Sequence, residues 1–371
     1  MEPLIFVAGL ALIGAVAWDV FQTIVVPRPT PGRFRLAIVL TRVGWRGWRA
    51  VGRRAGGGLA RDRLLGMFAP ALVVVLLATW LVVLVAGYGL VLWSIRGQLR
   101  PEPTDLGTTA YFAGTSVLTL GFGDVVAVGP LARLVSLTAA AAGLGTVALV
   151  ITYLFSLFGS YQRREILVVA LQARAGAPPS AVALLEKHAR LGIVAELPSL
   201  FREWERWSAE VLDSHVAYPL LGFFRSSHDD LSWVSALGAM LDAASLVETT
   251  IEGVPPGQAH LMGLVGSHLV EDLSNFLSLG AHDGAAVDRA AFEEVRARLE
   301  AAGYSVRPVA AAWPAFEAAR EPYAGRLQAM ADYWATPASA WSGRSGLSPS
   351  LAHPDDEPAR DPVLVDRRPG P

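Results

Sequence analysis

Thr119-Leu120-Gly121-Phe122-Gly123-Asp124 is a stretch whose residue types and spacing suit one definite chemistry, the coordination of a dehydrated cation. A cation that leaves water must regain the oxygen contacts it gives up, and a ring of backbone carbonyls supplies them. Successive carbonyls point at one axis only where alternate residues take left-handed or otherwise unusual dihedrals. Gly121 and Gly123 adopt these without a Cβ penalty. In such a strand the Thr119 hydroxyl and carbonyl form the innermost site, while Leu120 and Phe122 point away from the axis and wedge the strand in place. One chain supplies one strand, so a closed ring requires several chains about a common axis.

The elements that position this strand are apolar. Met67 to Trp93 and Leu134 to Gln162 contain no charged residue, and Pro3 to Pro27 is interrupted only by Asp19. Each is long enough to cross a bilayer, which takes about 20 apolar residues. Charged residues are 17% of the 371-residue chain, below the roughly 25% of soluble domains, and the mean hydropathy is +0.40. The first stretch lacks the basic start and small-residue cleavage site of a signal peptide. With no cysteine, disulfides and thiolate metal sites are excluded. Lys187 is the only lysine, and ten arginines (28, 33, 35, 42, 46, 49, 53, 54, 61 and 63) against Asp62 separate the first two spans. Positive loops mark the cytoplasmic side. The N-terminus is therefore expected outside the cell (inner) membrane, and everything after about residue 162 inside.

Between the second and third spans, Thr104 or Asp105 caps a short helix over 105–118, after which the chain returns to the surface it came from. Non-helical backbone at that depth survives only where it is buried in protein or lines a water path, so this is a re-entrant loop. Residues 66–165 resemble the two-helix pore domain of potassium channels, whose filter typically reads Thr-Val-Gly-Tyr-Gly-Asp, the positions of Thr119, Leu120, Gly121, Phe122, Gly123 and Asp124. Arg133 stands where such channels often carry a basic residue starting the inner helix, and Gly143 where they often carry a gating-hinge glycine. The chain as a whole is similar to bacterial potassium-channel-like proteins with one extra N-terminal membrane helix and a helical cytoplasmic domain.

The resemblance implies an all-α membrane protein with a two-helix pore domain. It implies a potassium-selective homotetrameric channel that catalyses no reaction, with no cofactor beyond potassium ions in the filter. Gating would fall to the inner helix, with Gly143 or Gly145 as hinge, and the cytoplasmic domain is a further candidate gate. Both glycines lie in "AAAAGLG", where close helix packing is the competing reading; Thr146 is expected to satisfy its hydroxyl on its own helix. Tyr111, Phe112 and Thr115 of the pore helix would support the filter. Phe122 lacks the tyrosine hydroxyl of the family, and Phe112, ten residues earlier, lacks the partner for it, so an apolar contact between the two is expected. Tyr111 keeps a donor for Asp124. Leu118 replaces a second threonine and Leu120 a valine, which leaves a weakly selective cation channel as the alternative. A membrane-anchored sensor with a non-conducting pore fold is a third reading.

The organisation expected is an N-terminal transmembrane helix (1–27), a basic interfacial linker (28–65) and a pore domain (66–165: outer helix 66–95, pore helix 105–118, filter 119–124, inner helix 131–162). A helical cytoplasmic domain (166–335) and a disordered tail (336–371) follow. Arg42, Arg46, Arg49 and Arg53 follow one span and intermix with glycines, so no voltage sensor forms. An amphipathic segment with Trp45 and Trp48 in the headgroup zone, contacting anionic lipid along 33–63, is expected instead. Asp19 is expected to reach the interface and pair with Arg28 or Arg35.

Candidate helices in the cytoplasmic half are 180–192, 196–214, 229–251, 257–280, 287–302 and 312–335. "LSWVSALGAMLDAASLVETT" carries Asp242 at its middle and reads as a buried bundle helix rather than a fourth span. Ser227 with Asp230 reads as a helix N-cap. Two histidine groups could cluster, His215/His228 with Asp229 and Asp230, and His260/His268 with Glu271 and Asp272; His268 and Glu271, three apart on one helix face, have spacing compatible with metal ligation but lack a second matching pair. No nucleophile–base constellation and no nucleic-acid-binding motif stands out.

Overall fold

A computed structural model describes residues 2–26, 36–54, 59–226, 230–282 and 287–336. The disordered tail expected over 336–371, apart from Thr336, and Arg28, Arg33, Arg35, Ser227, His228 and Asp229 lie outside the described residues. The chain is an all-α membrane protein: among the described residues three helices are long and apolar enough to cross a membrane.

Helix α1 (Glu2–Val20) ends in a π-helical turn, Phe21–Val25, and packs on α4 (Phe68–Ser94). The two approach through small residues. A Cβ added to Gly9 would come within 2.6 Å of the Gly87 carbonyl oxygen, and one added to Gly87 within 3.1 Å of that of Gly9. Such contact lets backbones meet where lipid gives no hydrophobic drive. A short antiparallel ladder, β1 (Leu99–Arg100) with β2 (Val126–Ala127), closes the outer loop. Between its strands stands α5 (Leu106–Val117). The Gln98 carboxamide oxygen accepts from the Ala132 amide, satisfying a free donor at the start of α6 (Pro130–Ala175).

Helix α6 is 46 residues long, about 69 Å at 1.5 Å per residue, roughly twice a 30 Å hydrocarbon core. It does not end at 162 as expected. No glycine or proline falls between Tyr161 and Ala175, so the helix runs on into the C-terminal half until Gly176, at φ +82°.

Helices α2 (Leu36–Arg54) and α3 (Leu59–Gly66) lie between the spans and the bundle. Here the sequence expectation needs correcting. Trp45 is buried rather than in the headgroup zone: its ring sits 5.0 Å from Phe68 and 5.1 Å from Phe223, and its Nε1 donates to the Tyr333 carbonyl at 3.0 Å. Trp48 donates to the Leu64 carbonyl at 2.8 Å. Arg42, Arg46, Arg53 and Arg54 remain exposed beside Val39 and Val43.

The bundle comprises α7 (Ala181–Arg190), α8 (Leu197–Ala217), α9 (Trp233–Thr249), α10 (Gly257–Leu277), α11 (Arg289–Ala301), α12 (Val309–Arg320) and α13 (Ala324–Trp334). Helix α9 is buried along almost its whole length, and Asp242 in it accepts from Arg320 Nε and the Tyr323 hydroxyl, each at 2.8 Å. Its N-cap is Ser232, in a reciprocal pair with Ser235, rather than Ser227 with Asp230. The single helix expected over 312–335 is two, broken before Tyr323 because Pro322 has no amide to donate and its ring crowds the preceding turn.

Candidate functional site

The loop 119–124 is launched by α5. Asp105 caps that helix, accepting from the Thr108 amide at 2.9 Å and the Thr108 hydroxyl at 2.8 Å. These bonds hold the Asp105 carboxyl below its ordinary range. At the other end the chain reverses on its own last turn: Thr119 N donates to Ser116 O at 3.0 Å and Leu120 N to Thr115 O at 2.7 Å. Thr115 is buried, its hydroxyl turned back on the Phe112 carbonyl at 2.9 Å, so its carbonyl rather than its side chain meets the loop.

From there the backbone alternates. Thr119, Gly121 and Gly123 have φ of +56°, +60° and +82°. A Cβ on Gly121 or Gly123 would meet nothing within 4 Å, so these positions are glycine for conformation and not for space. Thr119 was not anticipated there. A β-branched residue at positive φ is strained, and no sequence pattern announces it.

The Phe122 ring lies parallel to Tyr111, centroids 6.4 Å apart and planes 8° apart. Tyr111, not Phe112, is therefore its aromatic partner within the chain; Phe112 is buried in the core. The Tyr111 hydroxyl also lies beside the Asp124 carboxylate. One side chain thus braces two alternate positions of the loop. The apolar Leu118, Leu120 and Phe122 are 50%, 55% and 66% exposed in the single chain.

Gly143 faces the back of this site. An added Cβ would overlap the carbonyl oxygen of Val117 at the end of α5, whereas at Gly145 it would meet nothing. Gly143 is thus a packing position, and α6 passes through it without a break. The Thr146 hydroxyl donates to Ala142 O at 2.8 Å, within its own helix. Arg133 Nε donates to Ala127 O at 3.2 Å, tying α6 to β2.

Asp19 has a partner within the described residues, while Arg28 and Arg35 lie outside them. It is buried, and its Oδ2 accepts from Trp80 Nε1 of α4 at 2.8 Å. The sequence signal was available: an indole inside an apolar span needs an acceptor. Among the described residues the histidine groups do not assemble. His268 faces Asp272 at 3.5 Å, Glu271 faces Arg326 at 3.6 Å, and His260 pairs with Glu248 at 3.0 Å. His215 is buried beneath α6, and His228 is outside the described residues.

Residues 71–160, from α4 through the loop into α6, match the protein-family model of an ion channel. Among curated proteins, the uncharacterized membrane protein YdjJ of Bacillus subtilis (strain 168) is 24% identical over 222 residues, 58% of this chain. The match spans 62% of that protein, so the chain covers less than two thirds of it. No solved structure matches the chain. The class is thereby defined: a membrane protein carrying an ion-channel domain.

Proposed function

We propose that this protein is a potassium-selective channel, a homotetramer in the cell membrane whose filter is Thr119–Asp124. The reading is carried by one observation: positive φ at Thr119, Gly121 and Gly123 in an exposed loop at the end of α5. Alternation of this kind turns successive carbonyls toward one side, and four such strands around an axis offer a dehydrated cation stacked oxygen rings. Tyr111 braces the strand through Phe122 and Asp124. The uncovered Leu118, Leu120 and Phe122 favour further copies of the chain, because irregular backbone within a membrane needs protein or a water path around it. The N-terminus lies outside and the bundle in the cytoplasm, in keeping with the arginines between α1 and α4. The exposed Arg42, Arg46, Arg53 and Arg54 meet anionic lipid. The inner helix gates.

The test is rubidium uptake into potassium-loaded liposomes containing the purified protein, with and without barium. Barium-sensitive uptake supports the reading. Uptake of sodium at the same rate moves the assignment to a weakly selective cation channel, and none from an intact tetramer to a non-conducting sensor.

A further inference from the structure

Arg164 lies on α6 just past its uncharged stretch and is 2% exposed. Each of its five N–H donors has an acceptor. Nε and Nη2 donate to Glu165 Oε1 at 3.1 and 2.9 Å, Nη1 to Leu221 O at 2.9 Å, and Nη2 to Phe224 O at 2.7 Å. The remaining Nη1 hydrogen meets His215 Nε2 at 3.2 Å. His215 Nδ1 is 2.8 Å from Val211 O, so the ring keeps its proton there and leaves Nε2 as acceptor. The rings of Tyr161 and Trp233 lie 5.3 and 5.8 Å from the guanidinium carbon. The Arg164 carbonyl in turn accepts from Trp207 Nε1 at 3.0 Å. One side chain of the pore-forming helix thus holds α8 and the 221–224 segment of the bundle together.

A buried ion pair of this kind adds little stability over well-packed apolar groups, and its surest effect is to fix one arrangement. Here Glu165 Oε2 is buried without a hydrogen-bond partner among the described residues, so the cluster is not optimised for stability alone. Beside it the two helices part. A cavity of about 440 Å³ separates Phe155–Arg163 of α6 from Glu210–Ser214 of α8 and the Tyr218 that follows it, and Arg164 and Trp207 also line it.

We propose that Arg164 is the joint through which the cytoplasmic bundle grips the pore's inner helix, and that the neighbouring cleft is the space in which residues 155–163 move as the pore opens and closes. At Arg164 the helix is clamped; above it Phe158 and Tyr161 still meet Phe224, and Tyr161 donates to Arg225 O at 3.0 Å, while the face carrying Phe155, Ser156 and Gly159 borders the cleft. Movement of the bundle is then delivered to the inner helix around Arg164. The gating part of this proposal rests on the conduction reading above, while the joint itself does not.

The chain has no cysteine, so single thiols can be placed cleanly. Ser156 and Ser214 line opposite walls of the cleft, and each hydroxyl bonds a carbonyl of its own helix, Thr152 O and Val211 O; both tolerate Cys. Spin labels on the full-length Ser156→Cys/Ser214→Cys protein in liposomes report the width of the cleft. With Arg164→Met and Glu165→Gln added, which remove the ion pair together, the distance distribution is expected to broaden and shift; an unchanged distribution overturns the joint. In the protein with Arg164 intact, bridging the two thiols with a short reducible cross-linker is expected to change rubidium flux by roughly tenfold, in the range of coupled sites, and reduction to restore it. Complete bridging with flux unchanged overturns the gating role. If the unbridged protein carries no flux, the conduction reading has failed and the distance measurement alone decides the joint.

Discussion

Gly143 of α6 lies directly against the Val117 carbonyl at the end of α5, so close that a single methyl group has no room. The inner helix and the helix that launches the loop therefore share one backbone contact, and the position of the 119–124 strand depends on it.

Gly143→Ala is expected to be severe. The obstacle is backbone rather than a side-chain tip, so neither helix can yield locally, and overpacking costs typically 1–3 kcal/mol, occasionally more. Gly145→Ala, into open space, should instead stabilise α6 by up to about 1 kcal/mol, the helix-propensity gain. Melting of the detergent-solubilised protein compares the two. Equal behaviour would contradict the packing role, and impaired flux in a stable Gly145→Ala protein would return the hinge to that residue.

The Asp19–Trp80 hydrogen bond joins α1 to α4 inside the membrane region. Trp80→Phe leaves a buried carboxylate without its donor, and a bond to a charged group is worth about 1.5–3 kcal/mol. Combining it with Asp19→Val removes both partners, so the double variant should melt above the Trp80→Phe protein. Additive losses in that cycle would show that the two side chains do not interact.

The spans, the helical bundle and the two loop glycines were legible because each rests on a local property: an apolar run, a 3.6-residue period, a residue without Cβ. What was not legible depended on partners distant in sequence. Asp19 reads as a shallow charge seeking arginine until Trp80, 61 residues away, supplies a donor. Trp45 reads as an interfacial anchor until Phe223 and Tyr333 cover it. Phe122 chose Tyr111 over Phe112 because α5 turns Phe112 into the core. The run of α6 beyond residue 162 was readable, since nothing in 163–175 breaks a helix; the change from apolar to charged residues was mistaken for an end.

His215 makes stability depend on pH. Burial first, and the Arg164 charge second, push its pKa down to about 3. The folded ring therefore stays neutral at a pH where the unfolded one, near 6.5, binds a proton. Stability is complete above 6.5 and declines as pH falls from there toward 3, by about 1.4 kcal/mol per pH unit for one such group. His188, also lowered by burial, acts in the same direction. Melting temperature should drop between pH 7.5 and 5, and His215→Gln should flatten the slope without abolishing it. A slope identical in that variant would contradict the assignment.

Trp45 and the exposed arginines of α2 should separate in their effects. Trp45→Ala removes the aromatic link from α2 to Phe68, Phe223 and Tyr333, and buried Trp→Ala changes cost about 3–5 kcal/mol. Replacing Arg42, Arg46 and Arg53 by Gln should leave melting nearly unchanged. It should weaken the stabilisation gained from anionic over zwitterionic lipid, by about 1 kcal/mol per arginine near the surface. Melting in nanodiscs of the two compositions checks both.

The most direct test of the central claim, that residues 119–124 select potassium, is the reversal potential in a planar bilayer with potassium on one side and sodium on the other. The potential should be displaced far from zero in the direction of potassium selectivity. Gly121→Ala, which puts a Cβ on a residue at φ +60°, should abolish the current or bring the potential to zero. Wild-type protein that conducts with a reversal potential at zero would overturn potassium selection by these residues.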